Sequence, residues 1–230
     1  MYKLDYLKNS LRQADEQRDE YTMTESIQIY IKDKFKNRID LGFVIERVVS
    51  TIPHHLLKEV DSIFVGMFDE FDIRDTNAMY KDGAIYLSSD QEDEADVIDD
   101  IIHEIAHSLE VPYGGIIYGD GDLEKEFLAK RARLYHILDK EDLKPSAELF
   151  QDASYSLQMD DYLYKTVGYD RLNFIAASYN LFTSAYSATA LREYFSNGFE
   201  YYYLDNPSYL KEICPVLYKK IKEISENETY

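Results

Sequence analysis

The chain reads as an α+β protein, mostly helical, with one small mixed sheet. Three observations carry that reading. Glycine and proline are sparse, nine and five in 230 residues, so long stretches contain no helix breaker. Apolar residues recur at helical spacing, most clearly Val97, Ile98, Ile101, Ile102, Ile105 and Leu109. One stretch changes to strand composition: Asn77–Tyr80 and Ala84–Leu87 flank Lys81-Asp82-Gly83, whose Asp-Gly pair signals a hairpin turn.

Taken in order, residues 1–35 read as one or two charged helices, with Tyr6, Leu11, Ile27, Ile29, Tyr30 and Ile31 turned inward. Leu41–Val49 is a helix, and Pro53 opens a short helical piece to Val60. His54 and His55 are adjacent, point in different directions and read as surface residues. Ser62–Phe68 is an apolar run rich in strand formers. Ala84–Leu87 is expected at an exposed sheet edge, where an extended peptide can pair by main-chain hydrogen bonds. Asp90, Glu92, Asp93, Glu94, Asp96, Asp99 and Asp100 crowd the start of the next helix and favour its positive end. They lack the loop glycine of an ordered calcium site.

Val111-Pro112-Tyr113-Gly114-Gly115 ends that helix, and Asp122 is expected to cap another reaching about Leu138. Pro145 opens a further helical region, and Gly168 separates it from a helix near Tyr169–Tyr179. Tyr186–Leu204 has the periodicity of a helix that buries Leu191, Tyr194, Phe195, Phe199 and Tyr202 and turns Glu193 to another face. Cys214, before Pro215, reads as a packed thiol at a helix boundary. The expected division is an N-terminal helical extension, residues 1–52, and a main domain, 53–230. Within the latter, a sheet lobe runs to about 110 and a helical lobe covers 111–230.

The formal net charge of −19 argues against nucleic acid or an anionic membrane as a partner, since both would repel the chain. A single cysteine forms no intramolecular disulfide, and no apolar run has the length of a signal peptide core or a membrane span. These features lead us to expect a cytoplasmic protein, although a chain delivered into a target cell or packed in a virion would read the same way.

The chemistry is concentrated in His103-Glu104-Ile105-Ala106-His107, an H-E-x-x-H motif within the helix-periodic run. On a helix the two histidines lie one turn apart on one face, where they can share a zinc ion. Glu104 stands beside them to take a proton from a zinc-bound water. A catalytic zinc takes a third protein ligand. Glu126 lies at a distance from His107 that several zinc peptidases use, and Glu193, on a later helix, is the rival. Tyr186 precedes Glu193 by seven residues, about two turns if the helix is continuous.

The motif followed by Tyr186, Glu193-Tyr194-Phe195, Phe199 and the next tyrosines resembles the catalytic domain of the anthrax lethal factor family, which includes the secreted Pro-Pro endopeptidases. Tyr203-Leu204-Asp205-Asn206-Pro207 through Leu210–Tyr218 resembles that family's C-terminal ending. The likeness is one of motif order over residues ~53–222. It implies a zincin-like fold, with the small sheet above the H-E-x-x-H helix and a helical lobe below. It implies one zinc per chain on His103, His107 and Glu193, with Glu104 as general base and Tyr186 stabilising the oxyanion, and a peptide or protein substrate.

Two departures stand out. Asn197 occupies the place where relatives commonly carry a second glutamate, which predicts a less negative surround and weaker metal binding. The interval between His107 and Glu193 is also longer than in the compact secreted members, so proline specificity is not expected. The reading from a different class is a zinc-stabilised binding or structural module with little or no peptidase activity.

Overall fold

The computed structural model describes residues 20–74 and 76–227. The protein is α+β, largely helical with a small mixed sheet. It divides into two compact units, residues 1–50 with 58–101, and 51–57 with 102–230.

The first unit holds a five-stranded sheet: β1 (Glu20–Thr22), β2 (Gln28–Ile31), β3 (Ser62–Val65), β4 (Ala78–Lys81) and β5 (Ala84–Leu87), in the order β1-β2-β3-β5-β4. The β1/β2 and β4/β5 pairs are antiparallel, while β2/β3 and β3/β5 are parallel. Helix α1 (Leu41–Thr51) lies in the chain between β2 and β3, and α2 (Asp69–Arg74) between β3 and β4. Alternation along the strands sets the two faces. Ile29, Ile63 and Ile85 are in register and buried, whereas Tyr30, Phe64 and Tyr86 stack across the other face at 5.3 and 5.5 Å.

Two expectations are corrected here. The N-terminal helical extension expected over 1–52 is corrected within the described residues, where 20–31 are a β-hairpin paired to β3 and not helix. Thr24 Oγ1 accepts from the Ser26 and Ile27 amides and makes the turn. Ile29 is indeed buried, but by strand alternation, and Tyr30 faces outward. Tyr6 and Leu11 lie outside the described residues. Ala84–Leu87 is not the sheet edge, since β5 is bonded on both sides and the outer strands are β1 and β4. Its near-continuous burial is that of an inner strand.

The Asp-Gly hairpin forms as expected. Asp82 and Gly83 both have positive φ (51° and 83°), as a two-residue type I′ turn requires. The helical piece after Pro53 is shorter than expected, one 3₁₀ turn over His54–Leu57.

Helix α3 (Glu94–Leu109) carries the motif, with its residues to Ile101 in the first unit and from Ile102 in the second. Its acidic start is used for capping and pairing. Asp93 accepts from the Ala95 and Asp96 amides, Asp96 from the Glu92 amide, and Asp90 pairs with Lys36. Val97, Ile98, Ile101, Ile102, Ile105 and Leu109 are all buried.

The second unit continues with α4 (Gly114–Ile117), α5 (Asp122–Lys140), α6 (Ala147–Gln151) and α7 (Leu157–Asp161). A π-helical turn, Tyr162–Val167, leads to α8 (Tyr169–Ser178), and a 3₁₀ turn, Tyr186–Ala188, to α9 (Leu191–Leu204). Helices α10 (Pro207–Ile213) and α11 (Pro215–Glu226) both begin on proline, with buried Cys214 between them. The N-cap of α5 is Gly121 at φ 70°, so Asp122 opens the helix without capping it.

Tyr186 and Glu193 are not on one continuous helix. Ala190 is extended (φ −157°, ψ 162°) and starts α9 afresh. That helix is buried on nearly every side from Glu193 to Phe199, while Leu191 and Tyr202 are only half-buried. A Cβ on Gly198 would lie 2.3 Å from Leu217 Cδ2, so glycine is what lets α9 and α11 come together. His54 is exposed as expected, but His55 is half-buried with a ring nitrogen 3.0 Å from the Ile224 carbonyl. Among the described residues no helix is long and apolar enough to cross a membrane.

Candidate metal centre

Helix α3 presents His103 and His107 on one face, their ring centroids 4.9 Å apart. Helix α9 brings Glu193, 6 % exposed, against both. Its Oε2 lies 3.1 Å from His103 Nε2 and 3.3 Å from His107 Nε2. Zinc–nitrogen and zinc–oxygen bonds of roughly 2.0–2.1 Å at tetrahedral angles place neighbouring ligand atoms about 3.3 Å apart, so this spacing suits the ion. His103, His107 and Glu193 form the one such metal-ligating group among the described residues. The donor set fits zinc: two imidazoles and one carboxylate leave a fourth position open.

The outward nitrogens of both rings meet carboxylates that the sequence reading missed. His103 Nδ1 lies 3.3 Å from Glu200 Oε2, and His107 Nδ1 lies 2.6 Å from Glu110 Oε1. A carboxylate on Nδ1 fixes the tautomer that leaves Nε2 free for a metal and makes the ring a stronger donor. Arg192 Nη2 is 3.1 Å from His107 Nδ1 and 3.3 Å from Glu110 Oε1. Arginine cannot accept, so the Nδ1 proton goes to the closer Glu110 carboxylate, and Arg192 pairs with that same carboxylate. Tyr118 donates to the other Glu110 oxygen at 3.3 Å. Ser196 Oγ stands 3.1 Å from His103 Nε2; that nitrogen has a single lone pair, so a bound metal would displace the hydroxyl, which also has the Arg192 carbonyl as acceptor at 3.2 Å.

Electrostatically the centre is short of positive charge. Burial opposes protonation of His103, but hydrogen bonds to Glu193 and Glu200, with the charges of Glu104 and Glu193, push its pKa up to about 10. His107 is raised for similar reasons: burial works against its charged form, and Glu110 and Glu193 outweigh it. Burial would raise Glu193, yet the two histidines hold it far below the usual carboxylate range. Such a cluster favours a cation at its centre, whether protons on the rings or a metal ion between them.

Glu104, next to His103 on α3, is 6 % exposed and close enough to act on the charge state of both rings. The Tyr186 ring stands 6.3 Å from that of His103. Glu126 is not at the centre. Its carboxylate accepts from the Val216 and Leu217 amides (2.8 and 3.0 Å) and from the Tyr194 hydroxyl (2.9 Å). It caps the first turn of α11, so the rival third-ligand assignment is corrected.

Asn197 does not face the histidines either. Its amide donates to the Glu193 carbonyl at 2.9 Å and accepts from Ser184 Oγ, tying α9 to the segment before the 3₁₀ turn. The negative surround expected to be lacking there comes from Glu200 and Glu110. Glu200 lies seven residues after Glu193, two helical turns on the same face, and Glu110 three after His107. Both spacings are local, so the signal was there to be read.

Glu200→Gln tests this arrangement. The amide keeps the shape but removes the charge that holds the Nδ1 proton, and zinc affinity is expected to fall by roughly 10–100-fold. Competition with a chromophoric chelator measures it.

Comparison with family models, with curated proteins and with solved structures finds no match to this chain.

Proposed function

We propose that the protein is a zinc-dependent endopeptidase of the zincin type, akin to the lethal factor family. The observation that carries this reading is the convergence of both motif histidines and Glu193 Oε2 within 3.1 and 3.3 Å, with Glu104 one residue from the first ligand. A purely structural zinc site closes its coordination and has no use for an adjacent base.

When bound, zinc supplies Lewis acidity to a scissile carbonyl and acidity to a water. The chain supplies the rest. His103, His107 and Glu193 hold the ion, while Glu110 and Glu200 keep both imidazoles facing it. Glu104 takes the proton from the attacking water and passes it to the leaving amine. Burial, then the Glu193 charge, keeps the Tyr186 phenol far above its ordinary pKa, so its hydroxyl stays a donor for the developing oxyanion.

The test is cleavage of a mixed peptide library by zinc-loaded protein, read by mass spectrometry, with and without a chelator. Cleavage that stops on chelation and returns with zinc is the expected result. Zinc bound at about one ion per chain with every peptide left intact would replace this reading with the binding-module one.

A further inference from the structure

Helix α9 begins two residues before Glu193, and its own cap does not fix where. Ala190 is the N-cap and gives no side-chain hydrogen bond to the first turn. The amide of Leu191, the first helical residue, donates instead to the Ala153 carbonyl at 2.8 Å. Ala153 lies in the irregular segment 152–156 between α6 and α7. Asp152 before it is extended (φ −91°, ψ 121°), and its carbonyl accepts from Arg131 Nη1 on α5. One carbonyl of the segment therefore goes to α5 and the next to α9, all within the second unit.

Arg131 is fully buried, and its guanidinium lies 5.1 and 5.5 Å from the Phe127 and Phe150 ring centroids. Burial lowers its pKa to about 10, so it is still a cation at neutral pH. Among the described residues, Nε and Nη2 have no hydrogen-bond partner. A cation taken out of water with so few hydrogen bonds costs free energy, and an apolar side chain of its length would fill the place without that cost. Stability is thus a poor reason for arginine here, and position is a better one. Phe127 also packs on Tyr194, the residue after Glu193, with ring centroids 5.4 Å apart. Arg131 reaches α9 on both sides of the ligand, through the segment to Leu191 and through Phe127 to Tyr194.

We propose that Arg131 is a positioning residue for the metal ligand Glu193, fixing the start of α9 through residues 152–153. The proposal rests on the metal centre of the proposed function, not on its peptidase chemistry. Glu193 is the third residue of the helix, so a shift at Leu191 carries its carboxylate away from the two imidazoles. A site of this kind tolerates only about 0.5 Å of such movement.

Zinc affinity of the full chain, by competition with a chromophoric chelator, is the first readout, with thermal denaturation beside it. Arg131→Met keeps the apolar stem and removes the donors. Asp152 is an exposed residue, so water can replace the guanidinium at its carbonyl, and Tm is expected to stay close to wild type. Zinc affinity is expected to fall roughly tenfold, as for loss of an outer contact to a ligand. Leu191→Pro cuts the second link. Proline suits the first helical position, and extended Ala190 (φ −157°, ψ 162°) suits the residue before it, so the helix persists without that amide. A similar loss of affinity is expected. Both changes break one chain of contacts, so the double variant should bind no more weakly than either single one.

Wild-type zinc affinity in either single variant, or losses that multiply in the double variant, overturns the role. Arg131→Met protein that does not fold makes the residue structural and overturns it too. A wild type that takes up no zinc removes the metal centre and this role together. A zinc-loaded wild type that cuts no peptide removes the peptidase reading and leaves the role of Arg131 standing.

Discussion

Glu193→Ala is expected to abolish stoichiometric zinc binding, while Glu126→Ala leaves the protein with about one ion per chain. Both residues are helix-borne glutamates downstream of the motif, and the sequence treats them as rivals. Their surroundings separate them. One Glu193 oxygen faces both Nε2 atoms at ligand-to-ligand distance, whereas both Glu126 oxygens are occupied by the α11 amides and the Tyr194 hydroxyl. Loss of an outer carboxylate costs roughly 10–100-fold in affinity, so removing a direct ligand should cost more than ~100-fold. Glu126→Ala should act on stability instead. It strands two helix N–H groups and a buried phenol, a loss of about 1–3 kcal/mol, visible as a lower Tm. Zinc content by elemental analysis beside thermal denaturation gives both readouts. Zinc lost from Glu126→Ala and kept by Glu193→Ala would reverse the assignment.

The same measurement carries a pH dependence with a definite sign. A metal binds the neutral imidazole, and in the metal-free protein the His103 pKa is pushed up to about 10. Below that value zinc must displace a proton. Apparent affinity should therefore rise with pH across the neutral range, by up to about tenfold per unit for each proton released. For metal-free stability the sign is opposite. A folded pKa above the unfolded one gives stabilisation that is complete below about pH 6.5 and lost as pH rises towards 10.

How much of this was legible depended on how local each signal was. The motif helix was legible because ligand spacing and apolar periodicity are properties of one helix, and the Asp82-Gly83 hairpin because a two-residue turn dictates its own backbone. Strand order was not. The position of β5 between β3 and β4 depends on crossovers that no local pattern encodes. β1 and β2 read as helix in the sequence because strands of three and four residues show hardly two periods of alternation among charged neighbours. At the metal centre, the resemblance points to residue 197, whereas the carboxylate that meets the His103 imidazole is Glu200, about one helical turn further along. A residue's role there follows from the direction of its side chain, and a residue-by-residue resemblance does not supply that direction.

Glu104→Gln is expected to keep zinc and fold and to lose peptide cleavage by about 10²–10⁴-fold, the usual contribution of positioned acid–base catalysis. The substitution is isosteric at a position only 6 % exposed, so packing is preserved. His103, His107 and Glu193 keep their contacts with one another, and Glu110 and Glu200 still hold the outer nitrogens. On the proposed mechanism, what disappears is the basic oxygen that would receive a proton from water and return it to the amine. The effect should therefore fall on kcat, with peptide affinity little changed. Cleavage within about tenfold of wild type would move the base to another residue. Equal stability of the two proteins with only one active would separate a catalytic metal from a structural one, because an ion that merely holds α3 to α9 is indifferent to residue 104.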